Sequence, residues 1–99
     1  MSVTSPEGAG LSAPFPNPAQ EEVRFLLYAT GSQRAVKVRV FDLNGRVVLE
    51  RSIASPSAGN LTWRWDLRSD AGHRVAQGTY AVAFEGLGTR PMVRKVVVH

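Results

Sequence analysis

The sequence predicts an all-β fold: an immunoglobulin-like antiparallel β-sandwich of about seven short strands. Three observations point there. Apolar and polar residues alternate in run after run, the period of a half-buried strand. Turn-forming Gly, Pro, Asn, Asp and Ser clusters separate those runs at near-regular spacing. No window carries the periodicity of an amphipathic helix.

The central element is a hairpin. Val36, Val38 and Val40 alternate with Lys37 and Arg39, so the strand from Ala35 to Asp42 has one dry face. Asn44-Gly45 tolerates positive φ and marks a tight turn. Val47, Val48 and Leu49 then open a second strand that runs from Arg46 to Ile53. A hairpin alone is marginal in water, so the rest of the chain must cover its apolar face.

Upstream, residues 1–13 are rich in Ser, Gly, Ala, Pro and Thr and read as a flexible linker, with residues 14–99 as the folded domain. Pro14-Phe15-Pro16-Asn17-Pro18 excludes a helix start and predicts a stiff lead-in along a sheet edge, with Phe15 anchored in the core. Glu22 to Tyr28 alternates Val23, Phe25 and Leu27 against Arg24, Leu26 and Tyr28. Thr30 to Gln33 is a turn. Downstream, Ser55 to Asn60 is a loop, and Leu61, Trp63, Trp65 and Leu67 share one strand face. Arg68 to Arg74 forms a polar turn in which Gly72 can take positive φ. Tyr80, Val82 and Phe84 share a face of the strand from Gly78 to Phe84, Gly86 to Arg90 is a hairpin turn, and Met92 to Val98 is the last strand.

Composition narrows function. A chain of 99 residues suffices for one domain with a real core. With no cysteine, disulfides and thiolate metal sites are excluded. No apolar run reaches the roughly 20 residues of a membrane-spanning helix, and Met1 to Pro6 lacks the basic-then-apolar pattern of a signal peptide. The net charge of +4 comes from 12 basic and 8 acidic residues, the basic ones scattered singly along strands. Nucleic-acid binding concentrates such residues on one face with exposed aromatics, so it is not expected.

Chemistry-bearing motifs are sparse. Trp63 and Trp65 could form a sugar-stacking platform, but leucines flank them on the same face, which favours the core. Asp42, Asp66 and Asp70 could ligate calcium, yet each stands where Asp bonds to nearby backbone N–H groups, and their spacing fits no calcium loop. No nucleophile elbow, zinc motif, phosphate loop or dinucleotide fingerprint is present. No catalysis, cofactor or metal is expected. The C-terminal run Lys95-Val96-Val97-Val98 is strongly β-forming and stops with no tail, which predicts an edge open to a partner.

Three blocks in order carry a resemblance. Pro16-Asn17-Pro18 followed by Val23 and Phe25, then Phe41-Asp42-Leu43-Asn44-Gly45-Arg46-Val47-Val48, then Gly78-Thr79-Tyr80 running to Lys95-Val96-Val97-Val98, resemble the type A C-terminal sorting domains of type IX secretion and the immunoglobulin-like domain of flagellar hook-capping proteins. The resemblance covers about residues 14–99. It implies a non-catalytic address label fused to a larger cargo protein, recognised by outer-membrane secretion machinery. The destination it implies is the medium or the cell surface, reached through the periplasm and outer membrane, with attachment to anionic lipopolysaccharide. The recognition residues it implies are Pro16, Asn17, Pro18, Asp42, Gly45, Arg46, Gly78, Tyr80 and Lys95 to Val98, Gly45 making the turn, Arg46 pairing with Asp42 and Tyr80 packing in the core. The rival readings are a carbohydrate-binding module of a secreted enzyme and a structural or assembly domain.

Overall fold

Alternation divides each strand's side chains between solvent and a dry interior, and the strands pair so that the dry faces meet. The computed structural model describes residues 10–29, 35–53, 59–86 and 90–99. Its strands are β1 (Gly10–Leu11), β2 (Val23–Ala29), β3 (Val36–Phe41), β4 (Val47–Ile53), β5 (Gly59–Trp65), β6 (Gly78–Glu85) and β7 (Met92–Val98). They form two antiparallel sheets, ordered β1-β2-β5 and β4-β3-β6-β7. The fold is the expected immunoglobulin-like sandwich.

The core follows the alternation. Val23, Phe25 and Leu27 of β2 face Val36, Val38 and Val40 of β3 and Tyr80, Val82 and Phe84 of β6, all buried. Aromatic edges knit the sheets together. Phe25 meets Phe84 at 5.1 Å between ring centroids, and Trp65 meets Tyr80 at 5.8 Å, both in tilted, edge-type geometry. Trp63 packs edge-on to Phe84 at 5.8 Å.

The central hairpin turns tightly at the expected residues. Gly45 N–H reaches Asp42 O and Asp42 N–H reaches Arg46 O, each at 3.0 Å. Of this turn only Gly45 is left-handed, with φ 81°, so the connection is a four-residue turn from Asp42 to Gly45. A bulge follows. Val40 pairs with Leu49 but Phe41 pairs with Val47, leaving Val48 as the extra residue. That is why Val47, in a run of three apolar residues, is exposed.

Two expectations fail near the N-terminal end. Gly10 and Leu11 pair with Tyr28 and Leu27, and Leu11 is buried, so the ordered sandwich reaches back into the stretch read as linker. One apolar residue in a polar, Gly-rich stretch is too little for composition to register. Phe15 is 43% exposed, not anchored in the core. It pairs with Arg24 on β2, and directly opposed residues of an antiparallel pair share a face. Arg24 points to solvent, so Phe15 must. Ala19, fully buried, takes the anchoring place. The expected turn over 30–33, most of the loop over 55–60 and the tip of the last hairpin lie outside the described residues, although Gly59 and Asn60 belong to β5.

The segment before β2 changes sheets. Residues 10–15 pair with β2, whereas Ala19 pairs in parallel with Val98 of β7. Both Phe15–Pro16 and Asn17–Pro18 peptide bonds at the crossing are cis.

Replacing Phe84, which touches two rings of the other sheet, by Ala is expected to cost about 3–5 kcal/mol. A urea titration checks this as a lower midpoint at an unchanged slope.

Candidate functional site

Strand direction gathers the flagged residues at one end of the four-stranded sheet. Phe41 pairs with Ala81, Ala81 with Lys95, and Gly78 with Val98. The end of β3, the start of β6 and the end of β7 therefore lie side by side, and the three sequence blocks meet there.

The Pro-Asn-Pro block closes the edge of β7. Asn17 Oδ1 accepts Val97 N–H at 2.9 Å, Ala19 N–H donates to Val97 O at 2.7 Å, and His99 N–H donates to Ala19 O at 2.8 Å. Higher on the strand, the Arg94 guanidinium donates to Val93 O, to Leu11 O at 2.8 Å and to Ser12 O. The edge expected to be open at the end of the chain is thus occupied at Val97 by the chain itself. Val96 and Val98 point into the core. The members exposed at this end are Pro16, Asn17, Pro18, Gly45, Arg46 and Lys95, with Val97, Gly78 and Asp42 half-buried.

Asp42 organises the turn beside them. Its Oδ1 accepts Asn44 N–H at 2.9 Å and Arg46 N–H at 3.0 Å, and its Oδ2 lies 3.4 Å from Arg46 Nε. The Arg46 N–H above all, then that of Asn44, hold the Asp42 carboxyl below the usual range. Tyr80 packs in the core as expected, and its hydroxyl donates to Ala76 O at 2.6 Å, a reach of four residues back along the chain. This is the tyrosine-corner geometry of immunoglobulin-like sandwiches. Burial, then the charge of Asp42, pushes the Tyr80 phenol up.

A second hairpin, built on the polar turn expected over Arg68 to Arg74, completes this end. Val75 N–H bonds to Leu67 O, Ser69 N–H to His73 O and Gly72 N–H to Ser69 O. Gly72 is left-handed at φ 88°, repeating the Asp42–Gly45 geometry, and buried Leu67 is left-handed at φ 65°. The hairpin closes the edge of β4. Asp70 N–H donates to Val48 O at 2.9 Å, and Asp70 Oδ2 accepts Glu50 N–H at 3.1 Å. Arg51 pairs with Asp70. Asp70 therefore caps backbone as expected, but on a strand 20 residues away; no local signal specifies that partner. Asp66 Oδ1 accepts Arg68 N–H at 3.2 Å, a local cap. Arg74 Nη2 donates to Gln20 O at 2.5 Å and His99 O at 3.0 Å, tying this hairpin to both chain segments on the β7 edge.

The tryptophans do not form a platform. Trp65 is buried with its Nε1–H bonded to Arg68 O at 2.9 Å, and Trp63 is half-buried against Phe25 and Phe84. Among the described residues no group of three His, Asp or Glu converges as a metal-ligand set. An open groove of about 620 Å³ runs past Phe15, Pro16, Pro18, Glu21, Glu22 and Arg24. The polar side chains at this end hold turns and edges; the arrangement presents a surface.

Fold and site together define a domain of immunoglobulin-like architecture whose marked end presents a surface. The chain belongs to the FlgD Ig-like domain family, which matches residues 17–89. Among solved structures it is similar to latent PorU from Porphyromonas gingivalis, with a TM-score of 0.69 and 24% identity over 100% of this chain and 10% of that one. It is similar to PorZ of the same organism, described as an essential bacterial surface component of the type-IX secretion system, with a TM-score of 0.59 and 24% identity over 93% of this chain and 11% of that one. It is also similar to FlgD from Xanthomonas campestris, with a TM-score of 0.61 and 25% identity over 92% of this chain and 67% of that one. The chain thus spans about a tenth of the length of PorU and of PorZ. No curated protein matches it.

Asn17→Ala leaves the Val97 N–H without its acceptor and is expected to cost about 1 kcal/mol. Hydrogen exchange checks it as faster exchange at Val97 with the β6 amides unchanged. Asp42 sets an acid dependence. Its folded pKa is depressed, so its stabilisation is complete above the unfolded carboxylate value of about 3.9 and is lost as pH falls through the folded value. Asp42→Asn is expected to flatten the acid limb of a melting-temperature profile, with the gap to the parent protein closing as pH falls below about 3.9.

Proposed function

We propose that this domain is a C-terminal sorting label that directs a larger cargo protein through the type IX secretion system to the medium or the cell surface. One observation carries the reading. The blocks that resemble a sorting domain, separated by up to 80 residues, are joined by hydrogen bonds into one continuous end of the sandwich. Pro16, Pro18, Arg46 and Lys95 stand on its surface over buried Tyr80, Val96 and Val98. Outer-membrane secretion machinery is the partner that would read it. The net positive charge suits an anionic surface such as lipopolysaccharide. Likeness to PorU over the full chain and to PorZ supports the fold that this reading needs.

A structural role in an assembly, like that of a hook-capping protein, is the second reading. It is favoured by membership of the FlgD Ig-like domain family. Burial of Trp65 and the packing of Trp63 count against a carbohydrate-binding module.

Fusing the chain to a periplasmic reporter separates the two. In a bacterium with an intact type IX system, the reporter is expected in the medium or on the cell surface, and in a secretion-deficient strain it should stay in the periplasm. A reporter retained in both strains would falsify the sorting role and leave the assembly role.

A further inference from the structure

Asparagine is among the thermolabile side chains, because the main-chain nitrogen of the next residue can attack its amide carbon. Glycine in the following place favours that attack. It has no side chain to shield its nitrogen, and its backbone turns most freely. Of the chain's asparagines, Asn17, Asn44 and Asn60, only Asn44 precedes a glycine. Asn17 precedes Pro18, whose nitrogen carries no hydrogen and cannot serve, and Asn60 precedes the bulkier Leu61.

Bulk does not shield Asn44. Asn44 and Gly45 are both exposed. A Cβ placed on Gly45 would meet nothing within 4 Å. Asn44 takes part in the turn through its main-chain N–H, which leaves its side-chain amide at the surface.

Hydrogen bonding is what restrains the reaction. The attacking atom, Gly45 N, donates its hydrogen to Asp42 O at 3.0 Å. The amides on either side of it, those of Asn44 and Arg46, both donate to Asp42 Oδ1, at 2.9 and 3.0 Å. Asp42 is itself fixed, since its N–H donates to Arg46 O at 3.0 Å. Ring closure needs the Gly45 nitrogen stripped of its hydrogen and turned toward Asn44 Cγ. That breaks the bond to Asp42 O, and it strains the two flanking amides pinned to one carboxylate oxygen. The reaction therefore waits on a local opening of the turn.

We propose that Asn44 is a site of spontaneous deamidation whose rate is set by the Asp42 carboxylate. A bond forms between Gly45 N and Asn44 Cγ, the Cγ–Nδ2 bond breaks, and ammonia leaves with the hydrogen from the Gly45 nitrogen. Water then opens the five-membered ring. Addition at Cγ leaves an aspartate, and addition at the main-chain carbonyl carbon leaves an isoaspartate. The isoaspartate runs the main chain through the former side chain and lengthens it by one carbon, between two amides that share Asp42 Oδ1. The turn then no longer fits around that oxygen, and the Arg46 N–H is released. The inference concerns this turn alone and does not depend on the sorting role.

The intact chain, folded in buffer or unfolded in concentrated urea at the same mildly alkaline pH, is followed by mass spectrometry of the whole chain and of its peptides. Conversion is expected at Asn44 and not at Asn17 or Asn60. It should be at least about tenfold slower in the folded chain, the factor carried by one charge-assisted hydrogen bond. Asp42→Ala should speed it, and Asp42→Asn should do so less, with hydrogen exchange at the Gly45 amide rising in step because it needs the same opening. Protection of the β6 amides shows that each variant is folded. Asn44→Gln, which would have to close a larger ring, should abolish conversion. Aged protein should exchange faster at the Arg46 amide. Folded chain converting as fast as unfolded chain overturns the proposal, as do folded Asp42 variants that convert no faster than the parent.

Discussion

Backbone groups along the outer edge of β7 must find partners, because an unpaired row of N–H and C=O groups invites other strands. The chain supplies them from its own N-terminal side. Asn17 and Ala19 take both groups of Val97, and Arg94 bridges Val93 O to the carbonyls of Leu11 and Ser12. This closure depends on a segment that leaves one sheet at Phe15 and joins the other at Asn17. Proline suits the crossing, since it offers no N–H at a point where the chain belongs to neither ladder. The two sheets are thereby laced together on one side by main chain, while aromatic edges hold them in the middle.

The opposite side is held differently. Asp70 imitates a strand on the edge of β4 by offering an N–H to Val48 O and a carboxylate to Glu50 N–H. It is carried there by a hairpin whose base is fixed by the Leu67–Val75 hydrogen bond and by Trp65 Nε1 on Arg68 O. Arg74 on the same hairpin binds the main chain of both Gln20 and His99. The end of the sandwich where the three sequence blocks meet is therefore stabilised from two directions, although most of its surface residues are exposed.

Period-two alternation made β2, β3, β6 and β7 legible in the sequence, because each buries one face against the other sheet. The Asp42–Gly45 turn was legible in Asn44-Gly45, and Gly45 is left-handed as that dipeptide allows; Asp42 holds the turn by binding the N–H groups of Asn44 and Arg46. What could not be read were pairings between distant segments. Nothing local to Leu11 says that β2 offers it a buried place, and nothing near Asp70 names Glu50. Phe15 shows the limit most directly. Its apolar ring suggests the core, whereas its register opposite Arg24 puts it in solvent. Of the site, the three blocks were visible as motifs; that Asn17 closes the very strand that carries Lys95 to Val98 required the fold.

The direction of β1 has a topographic consequence. Gly10 pairs with Tyr28, near the finish of β2, whereas Val23 at its start pairs with Trp65 beside Tyr80. Five residues of strand separate these levels, roughly 17 Å at 3.3 Å each. Gly10 consequently stands at the pole remote from Pro16, Arg46 and Lys95. In the sorting role proposed above, the pole that bears Pro16, Arg46 and Lys95 lies a full strand's length from Gly10.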